Sequence, residues 1–150
     1  MGLCDLVYSV PDAIFFTPFV KLGVCAEAGS SVTFTRIMGR QKASAMILAG
    51  ERMTAQELES AGLITKILPK EGFMDEVMKI ARRIAAQPPN SLEFNKRLMM
   101  EPIRGELLAA NERECQGLKD RCRASEPIEA VRAFQREEKE RKSGSKSAKL

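Results

Sequence analysis

The chain has 150 residues, of which 44% are hydrophobic and 29% charged, and its formal net charge is +4. This length fits one domain with its own core, and no apolar run approaches the roughly 18 residues that a membrane span needs. The sequence has no histidine, one tyrosine and no tryptophan, which excludes Ser/His/Asp and Cys/His catalytic sites and leaves nucleic acid no aromatic surface to stack on. We therefore expect no metal site, no nucleic-acid partner and no membrane partner.

Short strands are predicted in the first half of the chain. Residues 3–9 (LCDLVYS) form an apolar run that ends at the turn signal VPD, and residues 13–16 continue in an extended conformation. Residues 63–68 (LITKIL) alternate between apolar and polar side chains, as a half-buried strand does.

Helical patterns alternate with these strands and fill the rest of the chain. They cover residues 30–38, 40–49, 55–61, 73–86, 91–100 and 103–124. Gly39 and Gly50 are predicted to end the first two helices, and Thr54 with Glu57 forms a capping box for the third. Pro102 is predicted to break the helical pattern in the C-terminal part.

The last helix is predicted to open at Pro127 and to bury three apolar side chains, Ile128, Val131 and Phe134. In the preceding helix one side carries Leu107, Leu108, Asn111, Cys115, Leu118 and Cys122. The prolines divide one compact unit into a mixed segment, residues 1–87, and a helical segment, residues 88–142. Residues 143–150 are predicted to be a flexible tail.

The four cysteines show no C-x-x-C spacing, which argues against a zinc site or a disulfide framework. Reduced and mostly buried thiols are therefore expected at Cys4, Cys25, Cys115 and Cys122. The first residues, MGLCDL, lack the charged and apolar regions of a signal peptide, so we expect an intracellular protein.

Glu27 is the candidate functional residue, because it is the only acid between Asp12 and Glu51. It stands among small apolar residues in the turn VCAEAGSS, between an extended apolar run and a helix. From the residues alone, Glu27 is either a solvated loop charge or a proton carrier whose surroundings change its acidity.

Three parts of the chain resemble one family in order and spacing: CDLVYSVPDAIFFTPFVKLG, AEAGSS and IMGRQKASAMILAGERMTAQELESAGLITKILP. They are similar to the second half of the crotonase (enoyl-CoA hydratase/isomerase) superfamily, and above all to peroxisomal Δ3,Δ2-enoyl-CoA isomerases. The resemblance covers nearly the whole chain. It implies an α/β fold, predominantly helical here, in which part of a spiral of ββα turns (1–87) precedes helices that pack into trimers (88–142).

The resemblance also implies a catalytic residue. In the hydratases of this superfamily, the acid that activates water stands at the position of Phe19, which cannot do so. In the isomerases the base lies in the turn after an L-G pair, where Glu27 stands. Glu27 would take a proton from C2 of the acyl chain and return one to C4.

The same resemblance places an acyl pocket near this turn, with Phe16, Phe19 and Phe34 either as its walls or as ordinary core residues. Coenzyme A enters as part of the acyl-CoA substrate, and no other cofactor is implied. Family members hold the dienolate oxygen with two backbone N–H groups from a segment that precedes the position of Cys4. Each lost donor commonly costs about 2.7 to 4 kcal/mol, so Glu27 alone is expected to be a poor catalyst.

The chain ends in Ala148, Lys149 and Leu150, which is similar to the S-K-L peroxisomal address. Together with the family resemblance, this tripeptide implies a peroxisomal location and the import receptor as a partner.

Three functions remain as hypotheses. The first is an isomerase that converts 3-enoyl-CoA to 2-trans-enoyl-CoA in fatty acid β-oxidation or a related biosynthetic pathway. The second is a truncated, non-catalytic crotonase-like protein that acts through oligomerisation. The third, an enoyl-CoA hydratase, is disfavoured by Phe19.

Overall fold

The computed structural model describes residues 1–147, apart from the side chains of residue 138 and residues 140–147. Its strands are two residues long: β1 (Tyr8–Ser9), β2 (Ile14–Phe15), β3 (Met53–Thr54) and β4 (Lys66–Ile67). β1 pairs with β4 in parallel, and β2 pairs with β3 in antiparallel orientation. The strands are shorter than predicted, although hydrogen bonds from Thr65 N to Val7 O (2.8 Å) and from Leu68 N to Ser9 O (2.9 Å) continue the first pair.

Helices make up most of the described chain, as the sequence predicts. After a 3₁₀ turn (Val20–Leu22) they are α1 (Ser30–Ile47), α2 (Ala55–Ser60), α3 (Phe73–Ala85), α4 (Pro89–Cys122) and α5 (Glu126–Ser147). No helix in residues 1–147 combines the length and the hydropathy that crossing a bilayer requires.

Two local predictions are confirmed in detail. Gly39 interrupts α1 with φ 76° and ψ 159°, so the two predicted helices meet at a kink inside one element. At α2, Thr54 Oγ1 accepts a hydrogen bond from Glu57 N (3.2 Å), and the Glu57 carboxylate accepts one from Thr54 N (2.8 Å). Both features depend on residues close together in sequence, which is why the sequence predicts them well.

The hydrophobic core lies between α1, β3, α2 and the segment that leads into β4. Its buried members are Phe34, Ala43, Met46, Met53, Ala55, Leu58, Leu63 and Ile64. The core therefore fixes the body of α1, whose N-terminal end carries the turn with Glu27.

The predicted break at Pro102 is wrong, because α4 runs through this residue. A proline inside a helix removes one backbone hydrogen bond and costs about 3 kcal/mol relative to alanine, but tertiary contacts can outweigh that cost. Just beyond the proline, Glu106 of α4 forms an ion pair with Arg36 of α1.

The side of α4 that carries most of its apolar residues is not the side that is buried. Leu108, Asn111, Cys115 and Cys122 are exposed. Ala110 and Glu114 are buried instead, and Leu107 and Leu118 are half-buried. Residues three or four positions apart form two neighbouring stripes along this helix. Helix α1 packs against the stripe that contains Glu114. All four cysteines are free, and only Cys25 is partly covered, so the prediction of mostly buried thiols is wrong.

Helix α5 has Pro127 in its first turn, as predicted. Ile128 is 58% exposed and Val131 is 36% exposed, so their predicted burial is wrong, whereas Phe134 is half-buried. The helix packs on the 3₁₀ turn and continues to Ser147, past the predicted end of the helical segment at position 142. Residues 148–150, which carry the predicted targeting tripeptide, lie outside the described residues.

Candidate functional site

Glu27 lies in the turn that joins the 3₁₀ turn to α1. Its carbonyl accepts a hydrogen bond from Ser30 N at 3.0 Å, so its backbone is fixed to the start of the helix. Its side chain is exposed. Among the side chains that the structure describes, none forms a hydrogen bond or ion pair with the Glu27 carboxylate, which is exposed to water.

The two residues after Glu27 have a left-handed backbone. Ala28 has φ 55°, an uncommon value for a residue with a Cβ atom, and Gly29 has φ 71°. Gly29 is the N-cap of α1 and has no side chain that could cap the free N–H groups of the first turn. The turn therefore needs a partner from elsewhere in the chain.

Glu114 of α4 supplies this partner. Its carboxylate accepts hydrogen bonds from Gly29 N (2.6 Å) and from Ser31 N (3.0 Å), and the residue is only 7% exposed. A buried carboxylate is tolerated when hydrogen bonds and a helix N-terminus compensate for the lost hydration, and both are present here. The sequence prediction missed Glu114, although an acid at a stripe position of an otherwise apolar face was a usable signal.

A second contact from the same turn of α4 lies on the other side of Glu27. The Cys25 thiol donates to the carbonyl of Glu114 at 3.5 Å. A Cβ atom added at Gly117 would stand 3.2 Å from Cys25 Sγ, so the absence of a side chain at Gly117 allows this approach. One turn of α4 thus contacts the chain on both sides of Glu27.

Two hollows open beside the turn. One, of about 270 Å³, is lined by Ala28 and Gly29 together with residues of α4 such as Leu107 and Leu108. The other, of about 470 Å³, includes Cys25 and Ala26 together with Phe19, Ile47 and Leu48. Glu27 stands in sequence between the residues that line the two hollows, both of which are largely apolar.

The three predicted phenylalanines have different surroundings. Phe19 is half-buried and lines the larger hollow. Phe16 is half-buried, and the Arg52 guanidinium lies 4.0 Å from its ring centroid. Phe34 is 7% exposed and packs in the core cluster. Of the two roles that the sequence left open for it, pocket wall or core residue, the structure has the second. For Phe16 and Phe19, a role as walls of an acyl pocket stays a prediction.

Groups of three or more cysteine, aspartate or glutamate residues that could hold a metal ion are absent from the described part of the chain.

Comparison with known proteins connects this turn to one family. A family model for enoyl-CoA hydratase/isomerase matches residues 1–143. Enoyl-CoA delta isomerase 2 of Rattus norvegicus is 40% identical over 134 residues, which are 89% of this chain and 34% of the relative. The peroxisomal enoyl-CoA delta isomerase 3 of Mus musculus is 33% identical over 134 residues, which are 89% of this chain and 42% of the relative.

A solved structure gives the same result for the fold. The enoyl-CoA hydratase/isomerase of Pseudoalteromonas atlantica T6c is 34% identical and superposes with a TM-score of 0.86, over 89% of this chain and 54% of the bacterial one. The chain thus spans about a third of the rat relative and about half of the bacterial protein.

Proposed function

Since the chain belongs to the enoyl-CoA hydratase/isomerase (crotonase) family, we propose that it carries the proton-transfer residue of an enoyl-CoA isomerase. In this proposal Glu27 moves the double bond of a 3-enoyl-CoA to give 2-trans-enoyl-CoA. The observation that carries the proposal is the position of Glu27, an exposed carboxylate whose neighbours in the same turn line two largely apolar hollows. The isomerase relatives support it, because the similarity to them extends across this turn.

The proposed reaction needs one carboxylate and two proton transfers. The Glu27 carboxylate removes a proton from C2 of the 3-enoyl-CoA, and the electron pair of that C–H bond moves toward the thioester, forming a dienolate. The carboxylic acid then returns the proton to C4, and the double bond forms between C2 and C3. The residue ends in its starting state, and the two proton transfers balance without an oxidant or a reductant.

Exposure of Glu27 sets a condition on this proposal. A carboxylate in open water exchanges its proton with solvent, and a dienolate in water lacks the fixed donors that stabilise its oxygen. The chain spans about a third of the rat isomerase, and we propose that residues outside this chain cover the turn and donate to the oxygen.

The test is isomerisation of trans-3-hexenoyl-CoA by the longest form of the protein that contains these residues. Glu27→Gln keeps the size of the side chain but cannot accept the proton, so the rate should fall by about 10²- to 10⁴-fold. Glu71→Gln, which changes an exposed acid in the turn before α3, is the matched control and should leave the rate unchanged. A Glu27→Gln enzyme with the full rate would refute the proposal.

A second candidate is a non-catalytic member of the family that acts through oligomerisation. The exposure of Glu27 to water favours it, and so does the fact that the chain spans only about a third of the rat isomerase. A trimer, or a mixed trimer with a longer relative, that binds no acyl-CoA in calorimetry would support this candidate, whereas turnover of 3-enoyl-CoA would exclude it. Hydration of crotonyl-CoA tests the third hypothesis, for which Phe19 offers no acid.

We further propose a peroxisomal location. The residues Ala148, Lys149 and Leu150 resemble a peroxisomal address, and the mouse relative is named as peroxisomal. A fluorescent protein fused in front of this chain should accumulate in peroxisomes, and deletion of the tripeptide should release it to the cytosol. Equal distribution of both fusions would refute the proposed import signal.

A further inference from the structure

Helix α4 holds the backbone on both sides of Glu27 through one of its turns. Glu114 accepts hydrogen bonds from Gly29 N and Ser31 N with the two oxygens of its carboxylate. Its own carbonyl accepts from the thiol of Cys25. Residues on both sides of Glu27 are thus tied to a single residue that lies far from them in sequence.

The turn needs this support because its backbone is unfavourable by itself. Ala28 has a positive φ of 55°, a conformation that a residue with a Cβ atom adopts only where its surroundings impose it. At the start of α1, the N–H groups of Gly29 and Ser31 have no acceptor within the helix and donate to the Glu114 carboxylate instead. Without that acceptor they would turn to water, and the left-handed turn would lose its main anchor.

From this geometry we infer that Glu114 is a positioning residue, which fixes the Glu27 carboxylate at the place where the proton transfers occur. This inference rests on the proposed function. Glu114 is buried and contacts the backbone of the turn, so it acts through Glu27. Gly117 completes the arrangement, because it lets Cys25 approach α4.

Glu114→Gln tests the inference in two independent measurements. The side chain keeps its size, but it loses its charge and one oxygen acceptor, and its amide group must face an N–H donor. In the NMR spectrum of the 150-residue chain, the amide protons of Gly29 and Ser31 should shift and exchange faster with D₂O. In the isomerase assay, kcat should fall by about 100-fold, because a displacement near 1 Å can cost that much, while KM should change little.

Glu112→Gln is the matched control. Glu112 is an exposed acid on the same helix, and its replacement should alter neither the two amide signals nor kcat. Unchanged signals or an unchanged kcat in Glu114→Gln would overturn the inference. A wild-type protein without isomerase activity would refute the proposed function and the effect of Glu114 on the rate, whereas the amide signals would still decide whether Glu114 holds the turn.

Gly117→Ala keeps the inference testable if Glu114→Gln fails to fold, since alanine favours the helix. Its Cβ atom would stand 3.2 Å from Cys25 Sγ but 4.0 Å from Cys25 Cβ. The single variant should therefore lower kcat, and the double variant Gly117→Ala, Cys25→Ser should recover part of it, because the smaller hydroxyl relieves the crowding and can still donate to the Glu114 carbonyl. A single variant with full kcat, or no recovery in the double variant, would show that the approach of Cys25 to α4 does not position the turn.

Discussion

Replacement of Pro102 by alanine is expected to stabilise the protein, because Pro102 lies inside the continuous helix α4. Alanine can donate its N–H to the carbonyl of Leu98, which the proline leaves without its helical partner. Pro102 is exposed, so the substitution removes little packing.

The size of the effect follows from two opposing terms. A proline is about 3 kcal/mol less favourable than alanine inside a helix. It also restricts the unfolded chain, and loss of that restriction gives back about 0.4 to 1 kcal/mol. The net gain in the free energy of unfolding is then about 2 kcal/mol, which corresponds to a rise in Tm of about 4 to 8 °C for a chain of this length.

Urea unfolding followed by circular dichroism measures this gain as a higher midpoint with an unchanged slope. Pro89→Ala is the matched control, because Pro89 is the first residue of the same helix, where a proline costs no hydrogen bond. If Pro102→Ala were no more stable than Pro89→Ala, α4 would not be continuous at this position, and its C-terminal part would not be rigidly joined to the rest.

Two further predictions concern the core and the capping box. Leu58→Ala, at a side chain with 0% exposure, should lower the free energy of unfolding by about 2 to 5 kcal/mol. Leu48→Ala, at a side chain that is 64% exposed, is the control and should lower it far less. Equal losses in the two variants would place Leu58 outside the core. The hydrogen bond from the Thr54 backbone holds the pKa of Glu57 below its usual value of 4.5, so the stability from this contact is present above pH 4.5 and is lost as the pH falls through the lower, folded-state pKa. Glu57→Gln should remove that part of the acid dependence in urea titrations between pH 3 and pH 7, and an unchanged dependence would contradict it.

Features that depend on neighbouring residues could be predicted from the sequence. Helix α3 was expected over residues 73–86 and spans Phe73–Ala85, because its apolar spacing and its flanking glycine and proline residues all indicate the same element. The capping box and the kink at Gly39 follow from residues within a few positions of each other.

Features that depend on packing partners could not be predicted. The backbone at Pro102 favours a break, but α4 continues through it and packs against α1, which no local pattern indicates. On α5 the pattern indicated burial of Ile128, but this side chain is 58% exposed although the helix packs on the 3₁₀ turn. A periodic pattern shows that a helix has an apolar side, whereas the partner decides which residues on that side are covered.

The candidate site shows the same division between local and distant information. Glu27 could be found because its turn matches a family pattern over a few neighbouring residues. Glu114 could not, since its partners Gly29 and Ser31 lie 85 and 83 positions away. Its position between Ala110 and Leu118 on an apolar face was the one available signal. The lost hydration of an acid that is buried there must be compensated by hydrogen bonds. The free N–H groups at the start of a helix are among the few groups that can provide them.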